Sequence, residues 1–140
     1  MDLFGLSKGS RALDKSLGGI KGDGKQAHHL IPELTWNYYD EFLSSIGLGK
    51  EMRDHFTNGL LMSDSPINAK NHGQKLYHRS RHRNYTRMVE RKLDKIETMF
   101  INEEIDAKQA KQYTESLQRS LRKKITSGKI KTKSPCGRLS

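Results

Sequence analysis

Cysteine is almost missing from this chain of 140 residues: Cys136 stands alone, near the end of a basic tail. A single thiol excludes an intrachain disulfide and every zinc site built from cysteines, so a metal here would need histidine and oxygen ligands. Long apolar runs are missing as well. With no stretch of 18 apolar residues, nothing is expected to span a membrane. The opening MDLFGLSKGSRALDK also lacks the apolar core of a signal peptide. Hydrophobic residues are scarce at 33%, so the core is small for the length, and part of the chain is expected to be peripheral helix or tail. Acids are outnumbered 16 to 26 by Lys and Arg, which leaves a net charge of +10 and a pI near 9.8. That balance favours a polyanionic partner, nucleic acid ahead of an anionic membrane or an acidic protein, with plain solubility as the bland alternative.

The length fits one domain, or one domain with tails. Six glycines within residues 1–25 mark residues 1–24 as a flexible lead-in or linker. AHHLI (27–31) is a short strand candidate ended by Pro32. Thr35 can cap a helix that carries Trp36, Tyr39, Phe42, Leu43 and Ile46 on one face and stops at Gly47. Leu48, Met52 and Phe56 recur at intervals of four and point to another short helix. NGLLM (58–62), opened by an Asn-Gly turn signal, reads as a second strand, and the turn-rich SDSPINAKNHGQK (63–75) as loop.

From about Tyr77 the pattern turns helical, with Tyr85, Val89, Leu93, Ile96 and Phe100 as an amphipathic stripe. Asn102, backed by Glu103 and Glu104, is the expected start of another helix, with Ile105, Tyr113, Leu117, Leu121 and Ile125 as its apolar positions. Eight Lys and Arg and no acid follow from Arg119 onward, ending in a basic tail, 127–140, expected to be disordered. Such a tail can hold nucleic acid through counterion release, or simply keep the chain soluble.

The chemistry gathers around histidine. In QAHHLIPEL (26–34) two histidines are adjacent, and adjacent side chains on a strand point to opposite faces, so His28 and His29 cannot share one task. His78 and His82 lie four apart, which on a helix brings two imidazoles to one face, about a turn apart and able to chelate one ion. A third ligand from a strand would leave coordination positions for water or substrate, as in catalytic rather than structural metal sites. One of His28 and His29 can then face the metal while the other serves as an imidazole that takes a proton from water near neutral pH. A bound cation would offset charge on a scissile phosphate and stabilise the leaving oxygen. Together these parts amount to phosphodiester hydrolysis.

Lys75, Arg79, Arg81, Arg83 and Arg87 flank the helical pair, with no acid between Lys75 and Met88. Arginine engages phosphate through two parallel donors, whereas the bland reading is a solvated helix face. Glu33, just after Pro32, is placed to support a histidine or to reach a metal through water. Tyr85 and Trp36 are core by default. His55 reads as a surface residue, and His72 as a loop residue that can meet phosphate.

AHH in QAHHLIP, the Asn of NGLLM and H-x-x-x-H in YHRSRHRNY, in that order, resemble the AHH branch of the HNH or His-Me finger (ββα-metal) endonucleases. That superfamily includes colicin-type DNases and the toxin domains of many bacterial effectors. The resemblance covers roughly residues 25–95. It implies that His28 is a metal ligand, His29 the general base, and His78 and His82 the ligands that complete the metal site. Asn58 would correspond to the central Asn, which ties the loop after the first strand and orients the base. The branch often carries H-x-G-x-H-P-x-Y on its helix; here Ser80 and Arg83 stand at the Gly and Pro positions, with the ligand spacing kept.

The expected fold is α+β, a ββα-metal core with additional helices and a helical basic C-terminal extension. Its expected parts are a lead-in (1–24), a nuclease domain (25–101), a C-terminal helix (102–126) and a basic tail (127–140). The expected activity is metal-dependent hydrolysis of DNA phosphodiester bonds with little sequence specificity, RNA being the other candidate substrate. Phosphate-directed charge is abundant and no base-reading element stands out. His29 and Asn58 are the catalytic candidates, and His28, His78 and His82 hold one divalent ion. Three imidazoles suit Zn²⁺ or Ni²⁺, while the nuclease family often works with Mg²⁺. The resemblance also implies an antibacterial toxin, made in a bacterial cytoplasm, delivered into a target cell and neutralised at home by an acidic immunity protein. Two other classes compete: a metal-independent ribonuclease toxin, and a non-catalytic basic nucleic-acid-binding protein.

Overall fold

The computed structural model describes residues 8–20, 22–73 and 83–128. Strand β1 (Lys25–His29) pairs antiparallel with β2 (Gly59–Ser63), placing Lys25 opposite Ser63, His28 opposite Leu60 and His29 opposite Gly59. β1 therefore begins and ends two residues earlier than AHHLI predicts. Leu30 and Ile31 leave the ladder because Asn58 takes over their backbone: Leu30 N donates to the Asn58 carbonyl at 2.8 Å and Ile31 N to Asn58 Oδ1 at 2.9 Å. Both side chains stay fully buried.

The apolar helix after β1 forms in two pieces, α2 (Glu33–Tyr38) and α3 (Asp40–Ser45), broken at Tyr39. Its start differs from the sequence expectation. Pro32, with φ preset for a helix entry, occupies the cap position, and Thr35 lies inside α2 and is buried. Trp36, Tyr39, Phe42, Leu43 and Ile46 are all buried, as their spacing requires, and Gly47 ends the segment with a φ of 91°. Two short 3-10 turns (Lys50–Met52 and Phe56–Asn58) replace the helix expected over Leu48, Met52 and Phe56; Leu48 is buried while Phe56 is exposed. The segment read as loop contains α4 (Pro66–Asn71), started by Ser65, whose hydroxyl accepts from Asn68 N, and by Pro66 in the first turn.

Two long helices complete the described chain. In α5 (Arg83–Ile101) the expected stripe is buried at Tyr85, Val89, Leu93 and Ile96. In α6 (Ala107–Thr126) Leu117, Leu121 and Ile125 are buried, Ile105 is buried just ahead of the helix, and Tyr113 is exposed. The start of α6 is Asp106 rather than Asn102. Glu103 takes a left-handed φ of 60°, and Asp106 and Gln109 form a reciprocal capping box. α6 packs on α5, and one cluster joins Leu30 and Ile31 to Val89, Leu93, Leu117 and Leu121, so the C-terminal helix shares one core with the segment before it.

The lead-in expected to be flexible carries α1 (Lys8–Ser16), which packs on β1. Leu13 is fully buried there. Gly59 makes the approach possible, since a Cβ at that position would strike the Leu13 and Leu17 side chains. The resulting architecture is α+β, with helices around a two-stranded antiparallel sheet. No helix among the described residues is long and apolar enough to cross a membrane. Beyond Gly128 the basic tail lies outside the described residues.

Candidate active site

Strand alternation separates the histidine doublet. His28 is buried on the face covered by the start of α5, with its ring edge-on to Tyr85 at a centroid distance of 4.9 Å. Tyr85 is itself pinned, its hydroxyl donating to the Leu30 carbonyl at 2.6 Å, and burial pushes its phenol far above the usual range. His78 and His82 lie outside the described residues, as do Lys75, Arg79 and Arg81. Among the described residues no three His, Cys, Asp or Glu side chains gather as a metal cluster. The part that is described fits a metal ligand in kind. His28 is an imidazole on a rigid strand, its ring fixed by a buried aromatic wall, and imidazole is a donor that divalent transition ions accept.

His29 meets a different environment. It is 7% exposed; its Nε2 lies 2.9 Å from Asp54 Oδ1 and its Nδ1 lies 3.8 Å from Glu33 Oε1. Burial draws its pKa below the ordinary 6.5, against the opposing pull of the Asp54 hydrogen bond and the Glu33 charge. Burial pushes Asp54 upward, but hydrogen bonds from Arg53 and His29 outweigh it and hold the carboxyl below its usual value. Arg53 grips both carboxylate oxygens, Nε to Oδ1 at 3.1 Å and a terminal nitrogen to Oδ2 at 2.9 Å. Its other terminal nitrogen donates to Asn37 Oδ1 on α2 at 2.9 Å. Glu33, at the first turn of α2, also accepts from Ser10 on α1 at 3.2 Å. Gly9 lets α1 come this close, because a Cβ there would collide with the Glu33 and Asp54 carboxylates.

Asn58 fastens the loops between these faces. It is fully buried and its side chain makes four hydrogen bonds. Oδ1 accepts from Ile31 N and from Gln118 Nε2, while Nδ2 donates to the carbonyls of Ile31 at 3.0 Å and Arg53 at 2.9 Å. α6 reinforces the loop further: one terminal nitrogen of Arg122 donates to the carbonyls of Phe56, Thr57 and Gly59. Arg83 and Arg87 are exposed on the first turns of α5, and Arg87 borders a shallow hollow with Tyr39, Glu90, Arg91 and Asp94. His55 is half-buried and bonded to Thr57, while the exposed His72 meets the Ser63 hydroxyl at 2.8 Å.

No motif in the sequence marks Asp54, Arg53, Gln118 or Arg122. Asp54 stands 25 residues from His29 and Gln118 60 residues from Asn58, and no periodicity links such positions. The Arg-Asp pair in EMRDHF is the single local sign.

Over residues 14–129 the chain matches the AHH family, a nuclease family of the HNH/ENDO VII superfamily with conserved AHH. Ala27, His28 and His29 supply that triplet. No curated protein and no solved structure matches the chain. The matched span takes in α6 as well as the sheet and α5. The chain belongs to the AHH family and is an endonuclease, a phosphodiester hydrolase, which sets aside the non-catalytic alternative.

Proposed function

We propose that this member of the AHH nuclease family cleaves DNA phosphodiester bonds with little sequence specificity, with one divalent ion held by His28, His78 and His82. His29 is the general base. The observation that carries this division is the opposite outlook of the two histidines on β1, one against an aromatic wall and one against two carboxylates. When bound, the ion offsets charge on the scissile phosphate and stabilises the leaving oxygen.

His29 accepts the proton of the attacking water. Its depressed pKa keeps it neutral at neutral pH, which is the form a base needs. Asn58 holds the β1 exit and the Arg53–Asp54 turn at fixed separation. Arg83 and Arg87, with Lys75, Arg79 and Arg81, supply charge directed at the sugar-phosphate backbone, which positions a duplex without reading its bases. Ligation by three imidazoles favours Zn²⁺ or Ni²⁺, with Mg²⁺ the third candidate. The net charge of +10 fits a toxin made in a bacterial cytoplasm, delivered into a target cell and silenced at home by an acidic immunity protein.

The test is incubation of the purified protein with supercoiled DNA and with RNA, in Mg²⁺, Mn²⁺, Ni²⁺, Zn²⁺ or EDTA. Nicking of DNA that stops in EDTA is the expected result. RNA cleavage that persists in EDTA would move the reading to a metal-independent ribonuclease.

A further inference from the structure

The described residues hold a carboxylate, outside every motif of the sequence, that touches the reactive doublet directly. Asp54 Oδ1 lies 2.9 Å from His29 Nε2. An ionised carboxylate offers acceptors only, so this contact requires the proton to sit on Nε2. Nδ1, 3.8 Å from Glu33 Oε1, is beyond hydrogen-bond reach of that oxygen and keeps its lone pair. The hydrogen bonds that hold Asp54 below its usual carboxyl value keep it ionised at neutral pH.

We propose that Asp54 is the positioning residue for the base: it fixes His29 as the Nε2–H tautomer and assigns Nδ1 as the atom that receives the proton. The proposal rests on His29 being the base. Asp54 can impose this because it is itself clamped. Arg53 binds both its oxygens and is anchored through Asn37 to α2. The Arg53 carbonyl is tied to Asn58 Nδ2, and Asn58 in turn to Gln118 on α6. The side-chain hydrogen bonds of Asn58 run to Ile31, Arg53 and Gln118, so its hold on the base passes through the β1 exit and through the Arg53–Asp54 turn. α6 is therefore the far end of the chain of contacts that positions the base.

Asparagine at this position cannot satisfy the same partners. Its amide must present NH₂ either to Arg53, a donor, or to His29 Nε2, which would then carry the lone pair and leave the proton on Nδ1. In serine proteases the corresponding exchange, which yields the wrong tautomer, lowers kcat about 10⁴-fold.

The experiment combines ¹⁵N-histidine NMR at a pH where the imidazole is neutral with kinetics on supercoiled DNA at saturating metal. The wild-type protein should show a protonated Nε2 and a bare Nδ1 at His29. Asp54→Asn should shift the tautomer toward Nδ1–H and lower kcat by roughly 10²–10⁴-fold, with KM changed by about twofold or less. Asp54→Glu should restore part of kcat. A wild-type spectrum with the proton on Nδ1 overturns the proposal, even where Asp54→Asn fails to fold. An Asp54→Asn variant with unchanged tautomer and full kcat, beside an inactive His29→Ala, overturns the proposal alone. A fully active His29→Ala overturns the base assignment, and the proposal falls with it.

Discussion

The two faces of β1 carry the same residue type one position apart and give it opposite surroundings. His28 looks onto Tyr85 and the start of α5, a buried aromatic wall anchored by the Tyr85–Leu30 hydrogen bond. His29 looks onto Asp54, Arg53 and Glu33, a charged cluster over which α1 is laid. The proposed division of labour within the doublet rests on that difference. The proposed ligand needs an imidazole in a fixed orientation, and an aromatic wall supplies that. A base needs one nitrogen held and the other left to accept, and a clamped carboxylate supplies that.

The comparison should break most completely at Asn58, which fastens both faces. Asn58→Ala would leave Ile31 N–H, the carbonyls of Ile31 and Arg53, and the Gln118 amide short of partners in a buried setting. The expected loss in urea unfolding is roughly 3–5 kcal/mol, a large share of a small domain's stability. A loss below about 1 kcal/mol would mean that the loops hold their place without it.

Next in size is a change confined to the aromatic face. Tyr85→Phe removes the donor to the Leu30 carbonyl and keeps the ring against His28, so thermal unfolding should register a loss of roughly 1–2 kcal/mol. The His29 tautomer should stay as in the wild-type protein.

The charged face is separated from the other by pH. His29 is depressed below 6.5 and Asp54 below 3.8, so the folded protein binds fewer protons than the unfolded chain near each value. The stability these two groups contribute is fully present above pH 6.5. It should decline as pH falls from 6.5 through the folded value of His29, and decline again below 3.8 as Asp54 takes its proton. His29→Gln should flatten the upper decline and leave the part of the lower one that Arg53 sustains, in urea unfolding across pH 3 to 8; an unaltered upper decline would assign it elsewhere.

The smallest effects belong to residues on neither face. Arg83→Ala and Arg87→Ala, both at exposed positions, should each reduce the salt slope of DNA binding by about 1 with little change in folding. An unchanged slope in both variants would remove them from the DNA contact.

How much of this could be read from the sequence follows from the range of the interactions. The split of His28 and His29 follows from strand alternation, and burial of Trp36, Phe42, Leu43, Val89 and Leu93 follows from helical periodicity, both local rules. Helix ends were less legible because caps depend on one residue's geometry: Pro32 in place of Thr35, and Asp106 with Gln109 in place of Asn102. α4 did carry a local signal, Ser65 before Pro66, hidden within a turn-rich stretch. α1 lay hidden in a glycine-rich stretch, and Leu13 is buried where distant Gly59 leaves room for it. The Asp54–His29 and Gln118–Asn58 contacts are tertiary and invisible to any pattern along the chain.

The most direct test of the division of labour sets His28→Ala beside His29→Ala, with calorimetric titration of divalent ions and cleavage of supercoiled DNA. His28→Ala is expected to lose tight stoichiometric ion binding and cleavage together. His29→Ala is expected to bind the ion as the wild-type protein does while cleaving about 10²–10⁴-fold more slowly. Equal loss of ion binding in both variants, or full cleavage by His29→Ala, would contradict it.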